Sequence, residues 1–400
     1  MVVLYIHQYF RTPEESGGAR SYWIAKELVR RGHHVTMITS TQENHPVSER
    51  VDIDGIDVVY VKNPVYSNYL SVVRRIWTFA AFVWNGIRTA IKEEDVDIVY
   101  ATSTPLTVGA IALWLKWRRR WKYVFEVRDL WPQFPIEIGA VKNRFAISGL
   151  RKFEMRIYDK AEHIIALSPG MKDGVVRTGT PKEKVTMVPN MSKTAIFYPH
   201  DPNYDIVRAF DIDMMKFNVV YFGSMGCANG LLFIIEAAKR LKEMCDDTVR
   251  FLLMGNGATD SLIQEKTMDY GLENVRFMGY HKPDVVAEVV NCCDASIITF
   301  LNLPVLKTNS PNKFFDSLAA GKPCIVNSAG WIKDIVEQND CGFYVDPEKP
   351  EQLAEKLLEI KDDSMRLKSW GKNARKLATE VYNKDILTAR VADILEQYGN

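Results

Sequence analysis

The sequence has no cysteine before Cys227, and its six cysteines, Cys227, Cys245, Cys292, Cys293, Cys324 and Cys341, contain no CxxC pair. That spacing excludes a zinc-ribbon pattern and a disulfide framework. The expectation is six small buried thiols in a reducing cytoplasm. An excess of one charge is missing too: 51 Lys and Arg face 50 Asp and Glu, for a formal net charge of +1. Bulk charge therefore argues against a nucleic-acid binder. Charges interrupt every apolar run before the ~20 residues a membrane span needs, and the opening MVVLYIHQYF has no basic leader. A chain made and kept in the cytoplasm is expected. The seven histidines show no metal-ligand spacing, so most are expected to be surface or packing residues and no metal site is expected. Neither the GxGxxG nor the GxxxxGK[ST] fingerprint is found, which counts against dehydrogenases and P-loop NTPases.

What is present is an ordinary globular composition, 47% hydrophobic and 25% charged, over 400 residues, enough for two domains. Short β-rich runs alternate with stretches of helical period from the first residue, as βαβ units do. Strands are expected at Val2 to His7, His34 to Thr39, Asp57 to Val61, Asp97 to Ala101, Tyr123 to Val127, His163 to Leu167 and Val185 to Val188. Val72, Ile76, Phe79, Val83, Ile87 and Ile91 fall on one stripe of a helix that should lie against a core. Met191 to Asp213, with Pro199 and Pro202, reads as irregular. The alternation then restarts through FNVVYFGS, VRFLLMGNG, VRFMGY, ASIITF, PCIVNS and CGFYVD. The fold class expected is α/β, two doubly wound Rossmann-like domains facing a cleft. Residues 1–195 would form the first domain and 196–382 the second, with a final helix at about 383–400 packing back on the first.

Six segments carry chemistry. In EESGGAR, Gly17 and Gly18 allow close backbone approach before a helix whose free N–H groups suit an anion, either donor phosphate or acceptor. EVRDLWPQFP follows a buried strand directly, which makes Arg128 and Asp129 cleft candidates or a strand-end ion pair. In TNSPNKFFDSLAAGKP, Ser310 reads as a helix cap followed by Pro311 in the first turn. Asn312, the Lys313 ammonium and the helix N-terminus then favour a diphosphate, and Asp316, one turn on, can accept from vicinal ribose hydroxyls. GSMGCANG and MGNG end two strands of one sheet, where Gly223, Ser224, Asn229, Asn256 and Gly257 can line a nucleotide pocket. LWLKWRRRWKY, at Leu113 to Tyr123, interleaves Trp114, Trp117 and Trp121 with basic residues, as suits an anionic membrane interface or a solvated basic turn; the Trp-rich helix near Arg74 to Trp84 adds to it.

Taken together, GGAR, RRGHHVTMIT, EVRDLWP, VTMVPN, YFGSMG and FFDSLAAGKP, in that order, resemble retaining glycosyltransferase family four. EVRDLWP and SPNKFFD look most like its bacterial surface-polysaccharide subgroup, which includes fucosamine-type transferases. The resemblance covers nearly the whole chain and implies the GT-B architecture and a UDP-sugar donor that needs no metal. It also implies retention of configuration and a lipid-linked saccharide acceptor, plausible as a polyprenyl diphosphate, at the cytoplasmic face of the inner membrane. Catalytic roles fall to Arg128, Asp129 and Lys313. The sequence departs from the family at several points. Thr308 stands where the first of two glutamates is common, Asp316 where the second is, Ser224 and Asn229 where Arg and Lys often hold the diphosphate, and Arg128 where a histidine is frequent. Two other readings share these features: a sugar-nucleotide 2-epimerase, and a catalytically silent sugar-nucleotide-binding partner of another transferase.

Overall fold

The structure is a computed structural model that describes residues 1–15, 18–41, 50–64, 72–103 and 105–399. It divides into two compact units, one of Met1–Pro13, Gly18–Pro189 and Asp385–Asn400, the other built on Asn190–Lys384.

The first unit carries an eight-stranded sheet in the order β3-β4-β2-β1-β5-β6-β7-β8. Its strands are β1 (Val2–Ile6), β2 (His34–Ser40), β3 (Arg50–Ile53), β4 (Ile56–Val61), β5 (Ile98–Ser103), β6 (Lys122–Val127), β7 (His163–Ala166) and β8 (Val185–Met187). All pairings are parallel except β3 with β4. Runs such as VVLYI and IVYATS are buried almost throughout, because helices cover both faces of a parallel sheet and leave no solvated side to alternate with. The short edge strand β3 was not expected from the sequence; its side chains alternate between exposed and half-buried, so no apolar run marks it. The helices are α1 (Arg20–Arg30), α2 (Val72–Ala90), α3 (Val108–Arg119), α4 (Gln133–Glu137), α5 (Arg144–Lys160) and α6 (Pro169–Arg177).

The stripe expected to bury α2 is not the one that does. Thr78, Phe82, Gly86 and Ala90 are buried, Phe79, Val83 and Ile87 are half-buried, and Ile76 and Ile91 are exposed. The reason is Gly86: a Cβ there would come within 2.8 Å of Ile111 Cδ1 on α3, so the two helices meet at the smallest residue and the buried line runs through it, from Thr78 and Phe82 to Ala90.

The second unit has a six-stranded, all-parallel sheet in the order β11-β10-β9-β12-β13-β14. Its strands are β9 (Phe217–Phe222), β10 (Val249–Met254), β11 (Val275–Gly279), β12 (Ala295–Ile298), β13 (Cys324–Val326) and β14 (Gly342–Tyr344). The helices are α7 (Tyr204–Ala209), α8 (Leu232–Glu243), α9 (Asp260–Asp269), α10 (Pro283–Asn291), α11 (Asn312–Ala319), α12 (Trp331–Gln338), α13 (Pro350–Ile360) and α14 (Ser364–Glu380). The stretch Met191 to Asp213 is therefore not wholly irregular, because Asn203 caps α7 by accepting from the N–H groups of Asp205 and Ile206. The last helix, α15 (Lys384–Gly399), belongs with the first unit, where Asp393 and Glu396 pair with Arg31 and Tyr398 stacks on His163.

Four of the six cysteines are buried, but Cys227 and Cys245 are exposed, which corrects the expectation that all six pack as small hydrophobes. Both lie at turns, Cys227 opening a short 3₁₀ turn and Cys245 at positive φ just past α8.

Candidate active site

In the second unit, the carboxyl ends of β9 and β10 are locked together backbone to backbone. The Gly223 N–H donates to Met254 O at 2.9 Å and the Met225 N–H to Asn256 O at 2.8 Å. A Cβ on Gly255 would sit 1.9 Å from Gly223 O, and one on Gly257 2.5 Å from the Met225 carbonyl. These glycines are required by the close approach of two chains, whatever else binds there. Asn256 contributes its carbonyl to this contact and its side chain is not used in it.

Lys313, in the first turn of α11, reaches back over this loop. Its ammonium donates to the Tyr221 hydroxyl and to Asn229 Oδ1, and lies 3.8 Å from the centre of the Tyr221 ring. The Tyr221 hydroxyl in turn donates to the Ser224 carbonyl at 2.5 Å. The lysine Cε would be 3.3 Å from a Cβ on Gly223, so Gly223 makes room for it. Ser224 Oγ and Asn229 Nδ2 flank Gly226, 3.5 and 3.6 Å from where its Cβ would stand. Gly223, Ser224, Asn229 and Lys313 thus form one cluster. Among the described residues no carboxylate pairs with Lys313. Desolvation pulls its pKa down to about 7, the signature of a cation without its counter-charge.

The start of α11 differs from the expectation at one residue. Ser310 is not the cap; Pro311 takes the N-cap position and no side chain caps the helix. The Ser310 hydroxyl instead accepts from the Asn190 N–H at 3.0 Å, Asn190 Nδ2 donates to Ser310 O, and the Ser192 hydroxyl donates to Phe315 O at 2.7 Å. Segment 190–193 is stapled along the helix start, and that staple uses the serine a cap would need. It also delivers Lys193, which no motif marks. Its ammonium stands 2.9 Å from Asp316 Oδ2, while Asp316 Oδ1 is buried with no hydrogen-bond partner. Burial raises the Asp316 pKa and Lys193 opposes the rise. Phe314, Phe315 and Leu318 are fully buried and fix the helix beneath this pair.

In the first unit, Arg128 and Asp129 follow β6 at the carboxyl edge of the sheet. The Arg128 N–H donates to Ser103 Oγ at 2.9 Å, and its guanidinium stands 3.3 Å from His7 Nε2, with His7 Nδ1 2.8 Å from Ser21 Oγ. No ion pair joins Arg128 to Asp129 among the described residues. Burial, with Arg128 adding to it, keeps His7 well below its usual range and therefore neutral. Burial raises Asp129 to about 6 against the pull of Arg128. One layer below, Arg20 Nε meets Glu126 Oε1 at 2.8 Å, both fully buried, and the guanidinium also donates to Val188 O and Pro189 O. The arginine of GGAR is thus a structural tie between the start of α1 and the ends of β6 and β8. Gly18 is partly exposed just before α1; Gly17 lies outside the described residues. Among the described residues no group of three or more His, Cys, Asp or Glu side chains is arranged to hold a metal ion.

The "Glycosyl transferase 4-like domain" family matches residues 17–191 and "Glycosyl transferases group 1" matches residues 216–363. The chain carries two domains of the family-four glycosyltransferase type. The alpha-galactosylglucosyldiacylglycerol synthase of Streptococcus pneumoniae is 24% identical over 258 residues, 62% of this chain and 65% of that protein, so the match spans under two thirds of the relative. Among solved structures, sucrose-phosphate synthase from Thermosynechococcus elongatus superposes with a TM-score of 0.80 at 17% identity, covering 99% of this chain and 98% of that one. Anabaena Alr3699/HepE in complex with UDP-glucose gives 0.73 at 18% identity over 99% and 100%. The two α/β units with parallel-sheet cores are therefore the two domains of the GT-B architecture.

Within this glycosyltransferase, the departures from the usual family pattern fall in definite places. The Thr308 hydroxyl donates to Val305 O at 2.7 Å, within its own turn. Ser224 and Asn229 stand beside Lys313. No motif marks Lys193, Tyr221 or His7: Lys193 sits in the stretch expected to be irregular, Tyr221 inside the run FNVVYFGS, and His7 among histidines mostly expected at the surface or in packing.

Proposed function

We propose that this glycosyltransferase moves an N-acetylated (6-deoxy)hexosamine from a UDP-sugar to a lipid-linked saccharide, plausible as a polyprenyl diphosphate, in bacterial capsule or O-antigen synthesis. The observation that carries the donor half is Lys313: an ammonium without a carboxylate, beside Gly223, Ser224 and Asn229, one helical turn from a carboxylate oxygen without a partner. A nucleoside diphosphate supplies both missing groups, phosphate oxygens for the lysine and ribose hydroxyls for Asp316. Asn312, Lys313 and the start of α11 then stabilise the departing UDP by fixed charge and dipole, with no metal needed for that role. The acceptor binds on the first domain, where Gly18, Arg128 and Asp129 meet its reacting hydroxyl, and the anomeric configuration is retained. The bound UDP-glucose of HepE and the lipid product named for the pneumococcal relative agree with a UDP donor and a lipid-linked acceptor. The enzyme works peripherally at the cytoplasmic face of the inner membrane, through the basic Trp-rich surface around Leu113 to Tyr123.

The test is to incubate purified protein with labelled UDP-sugars, including UDP-N-acetylhexosamines, and a bacterial lipid extract. Label in an extractable lipid-linked saccharide supports the proposal. Donor isomerisation without lipid labelling identifies an epimerase, and UDP-sugar binding without turnover identifies a silent partner; either result overturns it.

A further inference from the structure

Tyr221 lies in β9, between β10 and β12, two residues before Gly223. Its side chain is fully buried, and desolvation raises its pKa, so the hydroxyl keeps its proton. That single proton is committed, because the O–H donates to Ser224 O at 2.5 Å. The oxygen therefore turns its lone pairs to the Lys313 ammonium. The ammonium donates to it and stands 3.8 Å from the ring centre, well inside the ~6 Å reach of a cation–π contact. The nearby acids are engaged elsewhere. Neither β9 nor the loop 223–230 contains a charged residue, and the loop's one titratable side chain, Cys227, is exposed. Asp260, at the start of α9, accepts from the Gly257 N–H, and Asp316, one turn along α11, is paired with Lys193 from the segment packed against that helix. An ammonium has three N–H donors. Two go to Tyr221 and to Asn229 Oδ1, and the third has no acceptor among the described residues.

We infer that Tyr221 is the positioning residue of the donor site: its hydroxyl and ring hold the Lys313 ammonium in the empty and the UDP-bound site alike, and leave the third N–H for a phosphate oxygen. This rests on the UDP reading of that site and deepens it. A carboxylate in the same place would neutralise the lysine and compete with the diphosphate for it. A neutral oxygen and a π face orient the cation and leave its charge to the ligand. The Ser224 carbonyl that fixes the hydroxyl belongs to the same loop as Asn229, so the loop and the lysine are set together. Gly223, between them, makes room for the lysine Cε, which would be 3.3 Å from a Cβ there.

The experiment compares the full chain with Tyr221→Phe, which keeps the ring and loses the oxygen. UDP affinity is measured by calorimetry between about pH 6 and about pH 9. Losing an acceptor makes the ammonium harder to keep, so the fall of affinity with rising pH should begin about one pH unit lower, giving about twofold weaker binding near pH 6 and about tenfold near pH 8. In a Lys313→Met background, Tyr221→Phe should change UDP affinity by less than about twofold, because its effect runs through the lysine. The empty protein is tested without UDP by competitive acetylation with acetic anhydride, the Lys313 peptide being read by mass spectrometry. Only the neutral amine reacts, so its reactivity should rise at a lower pH in Tyr221→Phe. An equal loss of affinity at every pH, a full loss retained in the Lys313→Met background, or an unmoved acetylation midpoint would each overturn the proposal. Wild-type protein that binds no UDP at any pH would sink the UDP reading, and the acetylation midpoint then decides by itself whether Tyr221 holds Lys313.

Discussion

Lys193 holds one oxygen of Asp316 at 2.9 Å and leaves the other buried with nothing to accept from. The pair divides the work of a carboxylate. One oxygen anchors the side chain to segment 190–193, where Lys193 opposes the rise that burial gives its pKa, and the second stays open for a donor hydroxyl. Asp316→Asn should therefore weaken UDP binding about tenfold or more, the scale of a hydrogen bond to a charged group. Affinity for 2′,3′-dideoxy-UDP should barely change. Lys193→Met should weaken UDP in the same way, and the double variant should lose little more than either single one, because both act on one contact. Isothermal titration with the two ligands checks this; equal losses for UDP and its dideoxy analogue would detach Asp316 from ribose.

The Lys313 ammonium gives the donor site a pH dependence whose sign is fixed. With its pKa lowered to about 7 by desolvation, the empty site is largely neutral at about pH 9 and half-charged near pH 7. UDP binding needs the charged form, so affinity should rise as pH falls from about 9 to about 7, with proton uptake on binding. Lys313→Met should lower affinity and flatten the slope. Calorimetry in buffers of different ionisation enthalpy measures the uptake directly, and an affinity that falls as pH drops over this range would remove lysine from the phosphate.

Arg20 and Glu126 predict stability rather than turnover. Both are fully buried and joined at 2.8 Å, so removing one partner strands a charge: Glu126→Gln or Arg20→Met should cost about 3–5 kcal/mol. Arg20→Met with Glu126→Leu should cost much less than the sum. Burial alone would raise the Glu126 pKa, but Arg20 and Arg128 outweigh it and hold it below the ordinary 4.5. Stability from this carboxylate is thus present above about pH 4.5 and lost as pH falls through the lower folded value, because the unfolded chain takes up the proton first. Urea titrations between about pH 3 and pH 7 should show a shallower acid loss in Glu126→Gln.

These cases also show what could be read from the amino-acid order. VVLYI and FNVVYF announce buried parallel strands because both faces of such a sheet are covered, and a run of apolar residues needs no tertiary knowledge to recognise. The stripe of α2 was misread because Gly86 decides where α3 approaches, and a glycine contributes nothing to an apolar pattern. Ser310 has the sequence of a cap, but its hydroxyl is taken by Asn190, far away along the chain. Lys193 was invisible for the same reason: its meaning lies in Asp316, and contact across that separation comes only with the fold. The SPNKFFD cluster was legible because Lys313 and Asp316 sit one turn apart on one helix, where spacing alone sets their relation.

His7, Arg128 and Asp129 carry the last prediction. His7 Nε2 faces the Arg128 guanidinium, which can only donate, so Nε2 accepts and Nδ1 carries the proton toward Ser21 Oγ. Burial and Arg128 keep this ring neutral across the physiological range, so His7 adds no limb to a pH profile there. Asp129, raised to about 6 by burial, should add one: transfer falls as pH drops below about 6 and its carboxylate takes a proton. Asp129→Asn should lower transfer about 100-fold or more and abolish the acidic limb, the range expected when a group that moves or orients a proton is lost. Arg128→Ala should lower transfer with UDP affinity unchanged, because the proposed UDP contacts lie on the other domain. His7→Asn, which keeps a polar group beside Arg128 but alters its reach, should cost less than either. The pH profiles of the three variants, measured with the lipid extract as acceptor source, separate the roles. A wild-type acidic limb that survives in Asp129→Asn would assign it to another group and leave Asp129 a structural place at the end of β6.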